Sequence, residues 1–452
     1  MIRSIGFCSI VLTLASFLCV PSIARADAVT DWNAIAIQII VNAPCPTAPC
    51  ANPPVHPGAT SLLDSAMVQA AVYDAVESIT GRFRPYAVHV PGASGSTDAA
   101  VAKAAHDVLV NRFPFPAITG FLDTTYHAYL AAHSLSESDP GVAVGAQAAA
   151  AIIALRANDG SFPSPPPPPF TGGNAPGEWR PTPSYLPGTP APFSPMLAPW
   201  LAMVTPFTLK SPSQFRPVGP PDLTSHRYTE AYNEIKALGS SSSTVRTTDQ
   251  TNKALFYSGN YLVVWNRAVR DIAAAHLTSI DDSARLLALV DLAMGDGAIS
   301  QWDTKRHFVF WRPVTAIQNG DNDGNPYTVG DPNWQPLINN PNYPEYASGA
   351  NTVTGAATRM LALFFGSDEM DFTMHTTVPV ATAPVQAYDY HRFSDVANDV
   401  VNARVWEGIH FRFSDLVGRR QGRRVARWVF THYLRSVEED ASDDYGDDAD
   451  DE

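Results

Sequence analysis

Three short stretches of this 452-residue chain hold side chains that together can grip a tetrahedral oxyanion. In "PEYASGANTVTGAATRM" (344–360), Ser348 and Gly349 stand directly before an alanine-rich run that reads as a helix. The first N–H groups of a helix lack intrahelical partners, and with the helix dipole they attract an anion. Gly349 lets a guest approach the backbone closely, and Ser348 can cap the helix or turn its hydroxyl to the same anion. In "WDTKRHFVFWRPVTAI" (302–317), Lys305 and Arg312 lie seven residues apart, two helical turns, so a helix would present both on one face. Pro313 would bend or end that segment. Phe308, Phe310 and Trp311 flank the two cations, and a solvated charged face is rarely so aromatic. In "NARVWEGIHFRFSD" (402–415), Arg404 is a third cation, and His410 follows just past Gly408.

Cations converging in a dry site can bind one oxyanion. An imidazole beside them can attack phosphorus or coordinate a metal-oxo centre. Each piece alone has a plainer reading: Ser348 as an ordinary cap, the cations as side chains snorkelling over a core, and His410 as a structural histidine.

The elements that must position these residues read as helices. "TDWNAIAIQIIVNA" is a short one, "SLLDSAMVQAAVYDAVESIT" runs to a stop at Gly81, and "STDAAVAKAAHDVLVNRF" starts with Ser96 or Thr97 as its cap. "GVAVGAQAAAAIIALRAND" is rich in small residues, which suits close packing. Helical patterns then cover about 224–238, 247–278, 282–305, 351–365, 395–407 and 415–436. Residues 162–196 are too proline-rich for helix or central strand. They read as a long ordered excursion held by Trp179, Tyr185 and Phe193, with a flexible linker as the alternative. No βαβ alternation or 20–50-residue repeat emerges, so the expected class is mainly α, a large helical bundle. The expected organisation is one helical domain over 27–436.

Composition bounds the rest. Hydrophobic residues make up 45% of the chain, a soluble globular profile. Residues 1–26 carry Arg3, an apolar run and Ala24-Arg25-Ala26, the pattern of a secretory signal peptide, which predicts a secreted or periplasmic protein with no later membrane span. Cys45 and Cys50 would then meet an oxidising compartment and are expected to pair, pinning a proline-rich loop. The net charge is −14, but ten acids and no base fall in the tail 437–452, which reads as a disordered solubilising segment. The arginines of "GRRQGRRVARW" are local and stand beside that acidic run, so nothing suggests a nucleic-acid partner.

The order K-x6-R-P, then S-G before a helix, then R-x5-H resembles the vanadium-dependent haloperoxidases, which share their anion site with the type 2 phosphatidic acid phosphatases. "GEWRPTP" and "SQFRPVGPPDLTS" extend the resemblance, to the secreted bacterial branch, over most of the chain. It implies a helical bundle with the site deep between helices. It also implies that Lys305, Arg312 and Arg404 bind the equatorial oxygens of vanadate, with Ser348 and the N–H of Gly349 completing that shell. His410 would supply the one protein bond to the metal. Phosphate is the implied competing occupant; hydrogen peroxide and a halide or small molecule are the implied substrates.

The chain departs from the family at one position. The family pattern is P-S-G-H, whereas here the run is Ala347-Ser348-Gly349-Ala350. The missing histidine is the family's acid–base group, and help of that kind is worth ~10²–10⁴ in rate. His307, His391 and Asn351 are the nearby alternatives: His307 should point off the cationic face, and an asparagine hydrogen-bonds but does not transfer protons near neutral pH. Three readings follow: an impaired vanadate-dependent peroxidase, an acid phosphatase with His410 as nucleophile, and an oxyanion-binding relative without turnover.

Overall fold

The computed structural model describes residues 27–42, 56, 58–183 and 194–437. The leader, Cys45 and Cys50, Tyr185 and Phe193, and the acidic run from 438 lie outside the described residues.

The described chain is built on α-helices. The first five are α1 (Ala28–Asn42), α2 (Ser61–Thr80), α3 (Thr97–Arg112), α4 (Pro116–Ala132) and α5 (Pro140–Arg156). After a largely irregular stretch come α6 (His226–Leu238), α7 (Thr248–Phe256), α8 (Tyr261–His276), α9 (Ile280–Phe308), α10 (Pro313–Gln318) and α11 (Gly349–Phe365). A two-stranded antiparallel hairpin, β1 (Glu369–His375) and β2 (Ala387–Arg392), precedes α12 (Phe393–Trp406) and α13 (Arg412–His432).

Local chemistry sets the boundaries. Ser96 accepts the Ala99 N–H at the start of α3, and Gly81 ends α2 in the left-handed region at φ 72°. Thr247 and Gln250 form a capping box that starts α7. Nearly every residue of α2 and most of α9 are buried, which places both helices at the centre of the bundle. α9 packs against α2 on one side and α11 and α13 on the other. Where α11 meets α13 the backbones nearly touch: a Cβ at Gly422 would fall 1.9 Å from the Thr352 carbonyl. Only glycine there allows the start of α11 to be held this closely.

Three features differ from the sequence reading. The helical pattern over 247–278 divides into α7 and α8, because Asn260 starts a new helix by accepting the Leu262 N–H. α4 is passed over in the sequence, since its buried Ile118, Leu122, Tyr126 and Leu130 are interleaved with threonines and Gly120. The hairpin is passed over as well, although Glu369–His375 alternates polar and apolar residues at the period of a strand. Among the described residues no helix is long and apolar enough to cross a membrane.

Candidate active site: an oxyanion seat at the start of α11

Lys305 lies in the last turn of α9. That helix stops at Phe308 because Val309 turns left-handed at φ 50° and returns its N–H to the Lys305 carbonyl. The chain then runs extended to Arg312, which precedes Pro313 at the start of α10. The two cations therefore do not share a helical face, as their spacing suggested; a chain reversal brings them together. The proline-rich excursion braces that reversal. The Trp179 N–H donates to the Val309 carbonyl at 2.7 Å, and the Trp311 N–H donates to Gly177 at 2.9 Å.

Lys305 is 0% exposed, and its Nζ donates to the carbonyls of Pro344, Glu345 and Ala347 at 2.7, 2.8 and 2.6 Å. Burial, then Arg312, pushes its pKa well below the usual value. Three carbonyl acceptors nonetheless require three hydrogens, which only the ammonium has. Lys305 thus clamps the segment leading into α11 and keeps a positive charge beneath it.

Arg312 is also fully buried. Its Nε donates to the Tyr343 carbonyl at 2.9 Å, and its Nη1 donates to Ile409 O at 2.9 Å and His410 Nε2 at 3.2 Å. Its Nη2 is buried without a partner. Burial lowers its pKa to about 10. The Lys305 ammonium and the Arg312 guanidinium both lie over the Tyr343 ring, at 5.1 and 4.9 Å from its centre.

Because His410 Nε2 faces a guanidinium donor, it is the bare nitrogen, and Nδ1 carries the hydrogen. Nδ1 donates to Glu345 Oε1 at 2.9 Å, an oxygen that also accepts the Phe411 N–H at 3.0 Å. Burial, then Arg312, Lys305 and Arg404, holds the imidazole pKa well below its ordinary value. A neutral ring with an outer carboxylate fixing its tautomer is the form a metal or phosphorus bond requires.

Arg404, in the last turn of α12, pairs through Nη1 with Glu407 at 2.5 Å, and its Nε is buried without a partner. Burial, the largest single influence, opposes its charge, but Glu407 together with Tyr261, Tyr343 and Asp415 outweighs it and holds the guanidinium above its usual range. Burial lifts both Glu345 and Glu407 to about 7, against the pull of the neighbouring cations.

Ser348 precedes α11 but makes no side-chain cap bond. Its hydroxyl accepts from Asn351 Nδ2 at 3.2 Å, and Asn351 also donates to Asp415 at 2.8 Å. Asn351 is thus committed to this buried cluster. Gly349 and Ala350, with Gln301, Tyr343, Tyr261 and Arg404, line a cavity of about 400 Å³. A Cβ on Gly349 would stand 2.6 Å from Gln301 Nε2, so this position accepts only glycine without displacement. His307 and His391 are exposed, and His391 pairs with Asp371 on the hairpin, so neither occupies the place of the missing imidazole.

The structure therefore brings Lys305, Arg312, Arg404 and His410 to the start of α11 beside Gly349. Glu345, Glu407, Gln301 and Tyr343 join them and were not singled out from sequence. One signal was available: Glu345 is the lone acid in a run otherwise without charge from Pro341 to Thr358. The orphaned donors on Arg312 and Arg404, with Gly349 opposite, fit a tetrahedral oxyanion such as vanadate or phosphate.

The sequence profile of the VCPO second helical-bundle domain matches residues 285–439, the span from α9 to the end of α13. The vanadium chloroperoxidase of Curvularia inaequalis is 33% identical over a region covering 32% of this chain and 29% of that protein, so the chain matches less than a third of that relative's length. Two solved structures share the fold over nearly the whole chain. A bacterial vanadium-dependent iodoperoxidase superposes with a TM-score of 0.72 at 21% identity, covering 91% of this chain and 97% of its own. A holo-type bacterial vanadium-dependent chloroperoxidase gives 0.70 at 18% identity, covering 91% and 98%. Residues 285–439 thus belong to the second helical-bundle domain of the vanadium-dependent haloperoxidase superfamily, and the chain as a whole shares the fold of its solved bacterial members.

Proposed function

We propose that this chain is an exported vanadate-binding enzyme that uses hydrogen peroxide to oxidise a halide or small molecule, at a rate limited by Ala350. The observation that carries the reading is the set of three buried cations, two with orphaned donors, gathered around a neutral His410 at a helix start. The leader-like residues 1–26 support export.

Vanadate, when bound, supplies the Lewis-acidic centre at which peroxide is activated. The protein's part follows from its own groups. Arg312 and Arg404 neutralise the oxyanion and donate to its oxygens. The Gly349 N–H completes that shell at the positive end of α11. Ser348 stands in the same shell by resemblance, although its hydroxyl accepts from Asn351 here. Lys305 fixes the 344–347 segment and contributes charge from below. His410 offers Nε2 as the single protein bond once Arg312 Nη1 releases it, and Glu345 holds the ring. Ala350 leaves no imidazole to pass a proton at the cavity face, and that loss should slow turnover by ~10²–10⁴.

The test is peroxide-dependent halide oxidation by phosphate-free protein supplied with vanadate. Wild type should turn over slowly, His410→Ala not at all, and Ala350→His about 10²–10⁴ times faster than wild type. Absence of vanadate-dependent turnover in wild type and in Ala350→His alike would overturn the peroxidase reading.

The bare His410 Nε2 also favours a second reading, acid phosphatase activity with His410 as nucleophile. In that case vanadate inhibits rather than activates, and a labelled phosphate ester leaves a phosphohistidine. Ala350 favours a third, an oxyanion-binding protein without turnover, for which binding persists while both assays stay silent.

A further inference from the structure

Gln301 lies on α9 one turn before Lys305, on the same side of the helix. It is 1% exposed, and its side-chain Nε2 has no acceptor. Buried amide N–H groups without acceptors are rare in native proteins, because leaving one unpaired costs free energy that a nearby acceptor would recover. This amide is not lost in an apolar core. Gln301 lines the same cavity as Gly349, Ala350 and Arg404, and its Nε2 lies 2.6 Å from where a Gly349 Cβ would stand. It therefore sits against the opening turn of α11, where the helix N–H groups are unpaired.

Two other buried donors around this point also lack acceptors, Arg312 Nη2 and Arg404 Nε. They come from three separate elements: α9, the segment before α10, and α12. Arg404 lines this cavity with Gln301, and Arg312 stands just behind it, donating to the carbonyl of Ile409, which lines it too. Orphaned donors gathered from independent elements at one place share a missing acceptor, and a tetrahedral oxyanion has enough lone pairs to meet all of them.

We propose that Gln301 is an oxyanion ligand, donating its side-chain amide to the guest on the side next to Gly349 and Ala350. This rests on the oxyanion-binding reading of the site and adds a residue to it. The amide donates a hydrogen bond but does not transfer a proton near neutral pH. Gln301 thus supplies binding on the face where Ala350 has removed acid–base chemistry, so the site holds its anion firmly while proton transfer stays slow.

The test is calorimetric titration of inorganic phosphate and of orthovanadate into wild type, Gln301→Met and Gln301→Glu. Methionine keeps the length and volume of the side chain and removes the donor. Glutamate keeps the shape and turns an acceptor towards the anion. Wild type should bind one equivalent of either anion. Gln301→Met should weaken both by about tenfold, the worth of one hydrogen bond to a charged group. Gln301→Glu should weaken both by more than about 100-fold, since like charges then face each other in a dry site. The ligand-free melting temperature of Gln301→Met should match or exceed that of wild type, because an orphaned donor has gone. Wild-type affinity in Gln301→Met overturns the proposal; should that variant not fold, wild-type affinity in Gln301→Glu overturns it equally. Failure of wild type itself to bind either anion is a separate result, and it overturns the oxyanion reading of the site as well.

Discussion

α9 carries two kinds of buried polar group, and they are treated in opposite ways. In its middle, Asp296 is fully buried and accepts the N–H groups of Phe207, Thr208 and Leu209 and the Thr208 hydroxyl, at 2.6, 2.7, 3.1 and 2.5 Å. Asp291, a turn earlier, accepts from Ser65 and Asn266. On α2, Asp74 takes the N–H groups of Tyr86, Ala87 and Val88. No oxygen of these three aspartates is left without a donor. At the far end of α9, Gln301, and with it Arg312 and Arg404, keeps donors that nothing in the protein meets. A buried polar group satisfied from within is a staple for the fold. One left unsatisfied, and opening on a cavity, is a seat for something the chain does not itself contain.

That contrast can be broken at either end. The largest expected effect is at the staple. Asp296→Ala orphans three backbone N–H groups and a hydroxyl at once, and at ~1–3 kcal/mol for each unmade bond the loss should reach at least about 3 kcal/mol by chemical denaturation. Asp296 touches none of the seat residues, so a variant that still folds should bind phosphate as wild type does. A smaller loss in stability, or a selective loss of anion binding, would erase the distinction between the two clusters.

A smaller effect is set by pH. Burial raises Asp74 and Asp291 to about 6 and Glu77 and Glu407 to about 7, all above their unfolded values. The folded chain therefore holds protons that the unfolded chain has already released, and stability falls as pH rises through those folded values. His410 acts in the opposite sense. Its pKa is depressed, so below about 6.5 the unfolded chain takes up a proton that the folded one refuses, and acidification costs stability. Ligand-free protein should melt at a higher temperature near pH 6.5 than at pH 8, and the rise should continue on mild further acidification, because His410 offsets only one of the four carboxyls. In thermal melts, Glu407→Gln should flatten the slope between pH 6.5 and 8; an unchanged slope would show that Glu407 is ionised throughout.

Much of the helical frame is legible in the sequence because it is local. The stop of α2 at Gly81 and the start of α3 at Ser96 need only propensity and capping. The cations and His410 are legible as residue types at telling intervals. Their meeting is not, since it depends on where α9 ends. Val309 takes a left-handed conformation that a β-branched residue gives no sign of adopting. Glu345, Glu407 and Gln301 are invisible for a related reason. Each matters through a partner distant in sequence or through an atom left unpaired, and neither property can be read along a single strand of letters. The proline-rich excursion is legible as non-helical, but its hold on Val309 and Trp311 appears only in three dimensions.

The most direct measurement is competitive calorimetry of orthovanadate and inorganic phosphate on phosphate-free wild type and His410→Ala. Each anion should bind wild type in one equivalent and displace the other. His410→Ala should lose vanadate affinity by more than about 100-fold, since removing even an outer partner of a metal-bound histidine costs ~10–100-fold. Its phosphate affinity should stay within about tenfold of wild type, because the cations and amide that hold the oxygens remain. Absence of binding, or several weak equivalents indifferent to His410, would contradict the account.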